Sequence, residues 1–333
     1  MARKLLIDTD TASDDAVALI MALTSTQVAV EAITIVAGNV SVEQGTSNAL
    51  YTVELCGADV PVYKGAAVPL KRPLEIADWF HGEDGLGDHG YAPRELKAAD
   101  MHGVDAIIQV VDANPGIELI TLGPLTNVAL ALLRRPDLAG KISRCVVMGG
   151  APCCEGNVTP AAEYNFWVDP EAARMVLRSQ LPIELVGWQL SRESAVIHQG
   201  EIDALLALVT PLADFAVRCN SAGAAAYEKQ TGEVGISLPD PTAMAVLLDP
   251  ALVLESSEHY IDVQIDNGIT RGMSVVDKLN VADDARNRSV WHDVLIGSRK
   301  HKVIWTLDVP GWKQALFRAL GDSRQTTTRS IPR

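Results

Sequence analysis

Leu5-Leu6-Ile7-Asp8-Thr9-Asp10-Thr11-Ala12-Ser13-Asp14-Asp15-Ala16-Val17-Ala18-Leu19-Ile20 sets four carboxylates between two apolar runs. The run from Lys4 to Ile7 is short and continuous, as in a strand covered on both faces, and Ala16 to Leu23 has the composition of a buried helix. The stretch therefore predicts strand, turn and helix. Thr11 or Ser13 is the expected N-cap, and Asp14 and Asp15 fall in the first helical turn, where negative charge suits the positive end of the helix dipole. A dipole favours one or two carboxylates. Four packed this closely repel one another and raise each other's pKa values unless a cation lies among them. Oxygen-only ligands without a neighbouring cysteine point to calcium or magnesium rather than zinc. An acidic loop tip in water would carry the same residues with no metal, but this loop leaves the end of a core strand. An EF-hand is excluded, because Ser13 stands where the turn glycine is needed and Leu19 where the closing glutamate belongs.

Strand-like runs recur outward from this stretch, at Ala32 to Ala37, Ile117 to Leu122, Ser143 to Met148 and Ile183 to Val186. Helical patterns fall between and after them, at 42–56, 103–113, 124–134, 170–179, 200–209, 211–228 and 241–248. This alternation predicts an α/β fold with an open, mostly parallel, mixed sheet and helices on both faces. No linker interrupts residues 1–333, so one domain is expected, with the metal-capable acidic stretch inside 4–250, a β-rich part at 251–320 and a polar tail at 321–333. Within the β-rich part, His259 to Ile265 and Val303 to Leu307 are the clearest strands, followed by a helix from Pro310 to Leu320. The glycine-rich segment from Trp79 to Pro93 lacks periodicity and has the character of a binding loop.

Composition narrows the function. Apolar residues make up 48% of the 333 and aromatics 5%, enough for a large core and too apolar for a disordered chain. The net charge of −14 comes with no lysine or arginine cluster, which argues against a nucleic-acid polymer as partner and leaves a small molecule. No apolar stretch approaches the roughly 18 residues of a membrane span, so a cytoplasmic protein is expected. The five cysteines lack metal spacing and are expected to be free thiols, adjacent Cys153 and Cys154 included.

In an open parallel sheet, ligands bind beyond the carboxyl ends of the strands. The residues found there are Asp8, Asp10, Asp14 and Asp15 after the first strand, Gly38-Asn39 after the second, Gly123 to Asn127 after the third, Met148-Gly149-Gly150 after the fourth and Gly187-Trp188 after the fifth. One such ending is only a turn, and it is their agreement on one rim that predicts a polar, metal-capable pocket. Gly156 to Asn165 adds two amides and Glu163, groups that suit vicinal hydroxyls of a sugar or that merely cap loop backbone. Asp240, directly before an apolar helix, is either an N-cap or a further metal ligand.

With DTDTASDDAVA at 8–18, GN at 38–39, HGEDGLG at 81–87, GPLTNVA at 123–129, VMGGA at 147–151, GNVTPAAEYNFWVDPEAA at 156–173 and PDPTAMA at 239–245, the chain resembles the inosine-uridine preferring nucleoside hydrolases. The resemblance implies one calcium ion and cleavage of the N-glycosidic bond of ribonucleosides to ribose and free base. It implies Asp10, Asp15, Asp240 and the backbone carbonyl of Thr126 as metal ligands. Asp14, Asn39, Asn157, Glu163 and Asn165 would hold the ribose hydroxyls, Met148 would line the sugar pocket, and His81 would lie near the base. A calcium-bound water would attack the anomeric carbon with Asp10 as base, and a homodimer or homotetramer is the implied assembly.

Two positions depart from the family pattern. Thr11-Ala12 replaces a common Pro-Gly, and Pro239 stands where many members have a histidine that protonates the leaving base. Help for the leaving group must then come from Tyr227 or His81, from water, or from aromatic stacking, with Trp79, Trp188 and Tyr227 in segments that reach the base site. Purine nucleosides are the expected substrates. Two other readings compete: a family member that binds nucleoside or ribose without cleaving it, and a metal-dependent phosphohydrolase of the haloacid dehalogenase type. The phosphohydrolase predicts neither the Asp14-Asp15 pair nor the 157–165 segment.

Overall fold

Leu5 and Ile7 enter one apolar core and Leu6 the other, so the first strand is covered on both sides, as its unbroken apolar run requires. The computed structural model describes residues 2–321, which places the polar tail beyond Gly321 outside the described residues. The strands are β1 (Arg3–Thr9), β2 (Val28–Ile35), β3 (Val62–Lys64), β4 (Ile117–Thr121), β5 (Ile142–Met148), β6 (Ile183–Val186), β7 (Val253–His259), β8 (Ile261–Val263), β9 (Ser274–Val276) and β10 (His301–Leu307). Eight of them form one sheet in the order β3-β2-β1-β4-β5-β6-β10-β7. Its pairings are parallel except that of β7 with β10, so the sheet is mixed and mostly parallel. Helices Ser13–Thr24, Val42–Leu55, Pro211–Cys219, Pro239–Leu248 and Val309–Leu320 pack one face. Gly103–Ala113, Thr126–Arg134 and Pro170–Leu177 pack the other.

The chain winds outward from β1 to β2 and β3, then returns to β4 and winds the opposite way. The order therefore reverses between β1 and β4, and beyond the carboxyl ends of these two strands a crevice must open. The acidic stretch after β1 and the Gly123 to Thr126 turn after β4 sit at that point.

Several elements differ from the sequence expectation. Neither Thr11 nor Ser13 caps the first helix; Ala12 holds that position, and Asp15 accepts a hydrogen bond from the Ala12 amide (2.9 Å). The carboxylate at N3 does the capping, which frees the Ser13 hydroxyl for the His81 ring. Asp240 is not an N-cap either: its helix starts at Pro239, with Leu238 as cap. The helix expected at 211–228 is broken at Asn220, whose side chain donates to the carbonyls of Ala216 (2.9 Å) and Ser13 (3.3 Å). The run from His259 to Ile265 is split between the edge of the main sheet and a separate β8–β9 hairpin, and residues 281–295 form turns and short helices in a region expected to be β-rich. The short strand β3 and the one-turn helix Asp78–His81 carry too few residues for a periodic signal.

Candidate active site

Asp10 follows β1 and is fully buried. One carboxylate oxygen, Oδ2, accepts from the Asn39 amide at 2.6 Å, while Oδ1 has no partner among the described residues. Two glycines make room for it. A Cβ on Gly38 would stand 2.1 Å from Asp10 Oδ2, and one on Gly123 would stand 2.7 Å from Oδ1. The glycines after β2 and β4 are thus dictated by the carboxylate between them.

Asp15 is held by the Thr9 hydroxyl (2.5 Å) and the Ala12 amide. Asp14 leaves Oδ1 unpartnered and lies 3.9 Å from His81 Nδ1. Asp240, far along the sequence, joins them: Asp14, Asp15 and Asp240 each offer an oxygen within 4.8 Å of the others, and all three are buried. Burial pushes all of these carboxyls up; neighbouring charges push Asp10, Asp14 and Asp240 further, while hydrogen bonds from Thr9 and Ala12 oppose the rise at Asp15. Asp14 rises to about 7 through burial and the Asp15 charge. Asp10 and Asp240 rise well above the carboxylate range through burial together with the other aspartates. Such a cluster is strongly unfavourable by itself and is relieved by a hard cation.

Asp8, two residues earlier and within β1, is also raised to about 7 by burial, although Thr34 and Asn127 both donate to its Oδ1.

Thr126 opens the helix after β4, buried, with its hydroxyl donating to Asp169 at 2.6 Å. Asp169 also accepts from the Leu70 and Ala172 amides, so one carboxylate fixes Thr126, a loop and a helix start. The sequence marked Asp169-Pro170 only as a helix start and missed this second use.

Glu163 caps the short helix Tyr164–Val168, accepting from the amides of Asn165 (2.8 Å) and Gly150 (2.7 Å), and burial raises it to about 7. Asn165 donates to the carbonyls of Leu122 and Met148, which turns its unpartnered Oδ1 to other use. Asn157 accepts from the Tyr164 amide. His81 is buried, bonded through Nδ1 to the Ser13 hydroxyl at 2.8 Å, and burial lowers it to about 3, so its ring is neutral.

One cavity, open to solvent, unites most of these groups. Asp14, Asn39, His81, Met148, Asn157, Glu163, Asn165, Trp188 and Asp240 line it, together with Trp79, Phe80 and Tyr164. Its lining suits a small ligand of mixed polar and aromatic character. Asp10, Asp15 and Thr126 lie behind the wall rather than in it, with Asp10 and Asp15 linked to the lining carboxylates through their charges. Tyr227 is not a wall residue. It is fully buried behind Trp188, its hydroxyl donates to Glu233, and burial followed by Glu233 raises it to about 12. The expectation that Tyr227 contacts substrate is corrected on this point. Tyr164 and Phe80, which do line the cavity, were missed; each sits beside a residue that was singled out.

Fold and site together define a nucleoside hydrolase. The sequence model of the inosine-uridine preferring nucleoside hydrolases matches residues 5–305, and the chain belongs to that family. It is 34% identical over 307 residues to the pyrimidine-specific ribonucleoside hydrolase RihA of Shewanella woodyi, covering 88% of this chain and 94% of the relative. The protein of the same name from Salmonella enteritidis is 38% identical over 306 residues, with the same coverage. Among solved structures, a plant nucleoside hydrolase superposes with a TM-score of 0.89 at 32% identity, covering 96% of this chain and 99% of the other. A purine-preferring ribonucleoside hydrolase from Gardnerella vaginalis gives 0.84 at 30% identity, covering 96% and 98%.

The family is metal-dependent, and the residues present fit a hard divalent cation: clustered buried carboxylates and unpartnered oxygens on Asp10 and Asp14. All five cysteines are free, and no helix among the described residues is long and apolar enough to cross a membrane.

Proposed function

We propose that this protein hydrolyses the N-glycosidic bond of ribonucleosides, purine nucleosides above others, with calcium held by Asp10, Asp15, Asp240 and the carbonyl of Thr126. The observation that carries the reading is the meeting of Asp14, Asp15 and Asp240 beside a cavity whose other walls include amides, Glu163 and aromatic rings. A bound hard cation supplies positive charge that acidifies water and anchors sugar hydroxyls. Asp10, with one carboxylate oxygen unpartnered among the described residues, takes the proton from the attacking water. Asp14, Asn39, Asn157, Glu163 and Asn165 orient the ribose through its hydroxyls, and Met148 packs against it. As water adds to the anomeric carbon, the C–N bond breaks and its electron pair leaves with the base. The surrounding carboxylates stabilise the positive charge that develops on the sugar.

Pro239 lines the cavity and offers no proton. The Tyr227 hydroxyl is engaged with Glu233, and neutral His81 is bonded to Ser13, so the aromatic wall of Trp79, Phe80 and Trp188 carries the interaction with the leaving ring. Those flat faces support a bicyclic base. The pyrimidine-specific names of the RihA relatives support the alternative. Release of ribose and base from inosine, guanosine, adenosine, uridine and cytidine separates them: uridine or cytidine as the clear best substrate removes the purine preference. A cytoplasmic location, supported by the free thiols, and a homodimer or homotetramer, measured by light scattering, complete the proposal.

A further inference from the structure

The β8–β9 hairpin stands apart from the main sheet and contributes no residue to the cavity wall. It nevertheless holds the segment that carries Glu163 at two points. At the first, the Ala151 amide donates to the hydroxyl of Ser274, the opening residue of β9, at 3.0 Å, and Ser274 is buried. The approach is close: a Cβ on Gly150 would stand 2.5 Å from Ser274 Oγ, and Gly150 takes a left-handed φ of 74° that its missing side chain permits. At the second, Arg271 donates through Nε to the Trp167 carbonyl at 3.0 Å and sets its guanidinium 4.1 Å from the centroid of that ring. Arg271 also pairs with Glu75 at 3.1 Å, and the Glu75 carbonyl accepts the Tyr164 hydroxyl at 2.7 Å.

Between these two anchors lies the wall that faces the sugar. The Gly150 amide donates to Glu163 Oε2 at 2.7 Å, and the Gly150 carbonyl accepts from the Trp188 amide at 3.1 Å. With the bond from Ala151 to Ser274, three segments far apart in the chain satisfy a single buried turn, and an amide there without its acceptor is costly. A carboxylate that grips a hydroxyl works only when held within about 0.5 Å of its productive place. Asp10, Asp15 and Thr126 have their side-chain partners elsewhere, in Asn39, Thr9, Ala12 and Asp169. The hairpin therefore bears on the sugar wall and not on the cation ligands.

We propose that Ser274 is a positioning residue for the ribose site: through the Gly150–Ala151 turn the β8–β9 hairpin sets the place of Glu163, with Arg271 holding the far side at Trp167. The proposal rests on the nucleoside-hydrolase reading of the cavity. It goes beyond that reading by giving the part of the chain after residue 250 a share in sugar binding.

Ser274→Ala removes the acceptor and Ser274→Thr keeps it. Inhibition by free ribose, KM for the best nucleoside and calorimetric calcium affinity are measured on each. Ser274→Ala is expected to weaken ribose inhibition and raise KM in parallel, by about threefold or more, with calcium affinity unchanged and with most of the loss recovered in Ser274→Thr. A smaller change in ribose inhibition, or a fall in calcium affinity by the same factor, overturns the proposal. If Ser274→Ala melts too early to assay, Arg271→Met decides from the other anchor. It is expected to weaken ribose inhibition while calcium affinity holds, and unchanged ribose inhibition in that variant overturns the proposal. A wild-type protein that releases base from no ribonucleoside removes both readings, while an active wild type whose ribose inhibition is unmoved by these substitutions removes only this one.

Discussion

The Cβ that Gly38 lacks would lie 2.1 Å from Asp10 Oδ2, closer than any two such atoms can approach. A residue that merely turns the chain after β2 therefore sets the position of the carboxylate assigned as base. Gly38→Ala must push Asp10 aside or shift the Asn39 amide that bonds it. Turnover is expected to fall on the order of 100-fold, the usual cost of a misplacement near 1 Å, with destabilisation of about 1–3 kcal/mol from overpacking. Steady-state kinetics and chemical denaturation measure the two effects.

Asp10→Ala is expected to abolish turnover, a loss on the order of 10³-fold or more for a base that also holds the cation. The fold should persist, since the variant relieves a crowded carboxylate cluster. Circular dichroism and calorimetric calcium titration test this together; near-normal rates in the variant contradict the role given to Asp10.

Without cation, stability should depend on pH in a defined direction. Burial raises Asp8, Asp14 and Glu163 to about 7, above their ordinary values, so the folded state holds more protons than the unfolded chain between about pH 4 and 7. Unfolding free energy of the chelated protein is therefore expected to fall as pH rises through that window. Calcium, binding the ionised forms, should raise the melting temperature more at pH 7.5 than at pH 5; where it is present at 100 times its Kd the stabilisation is ~2.7 kcal/mol. A chelated protein whose melting temperature rises steadily from pH 4 to 7 contradicts the burial of these groups.

Tyr227→Phe removes the hydroxyl bonded to Glu233 and leaves the ring against Trp188. A stability loss of about 1 kcal/mol is expected, with kcat near that of the wild type. A large fall in kcat would return Tyr227 to the role of acid.

Much of this was legible in the sequence because the site is made from strand ends. An apolar run followed by a carboxylate or glycine is a local signal, and β1, β2, β4, β5 and β6 each gave one. Asp240 was legible as a candidate ligand only because it precedes an apolar helix, and Asp14 as a sugar contact only through the resemblance. What was hidden depends on tertiary partners. Whether Asp15 or Ser13 satisfies the helix start, which face of 221–231 turns inward with Tyr227, and that Asp169 reaches back to Thr126 are decided by residues tens of positions away. The division of His259 to Ile265 between two sheets is likewise fixed by pairing with β10 and β9.

The most direct measurement is the release of ribose from inosine by the purified protein before chelation, after chelation and after calcium is restored. The account expects ribose to appear, to cease with the chelator and to return with calcium. Turnover that is indifferent to the chelator, or absent even with calcium, would contradict it.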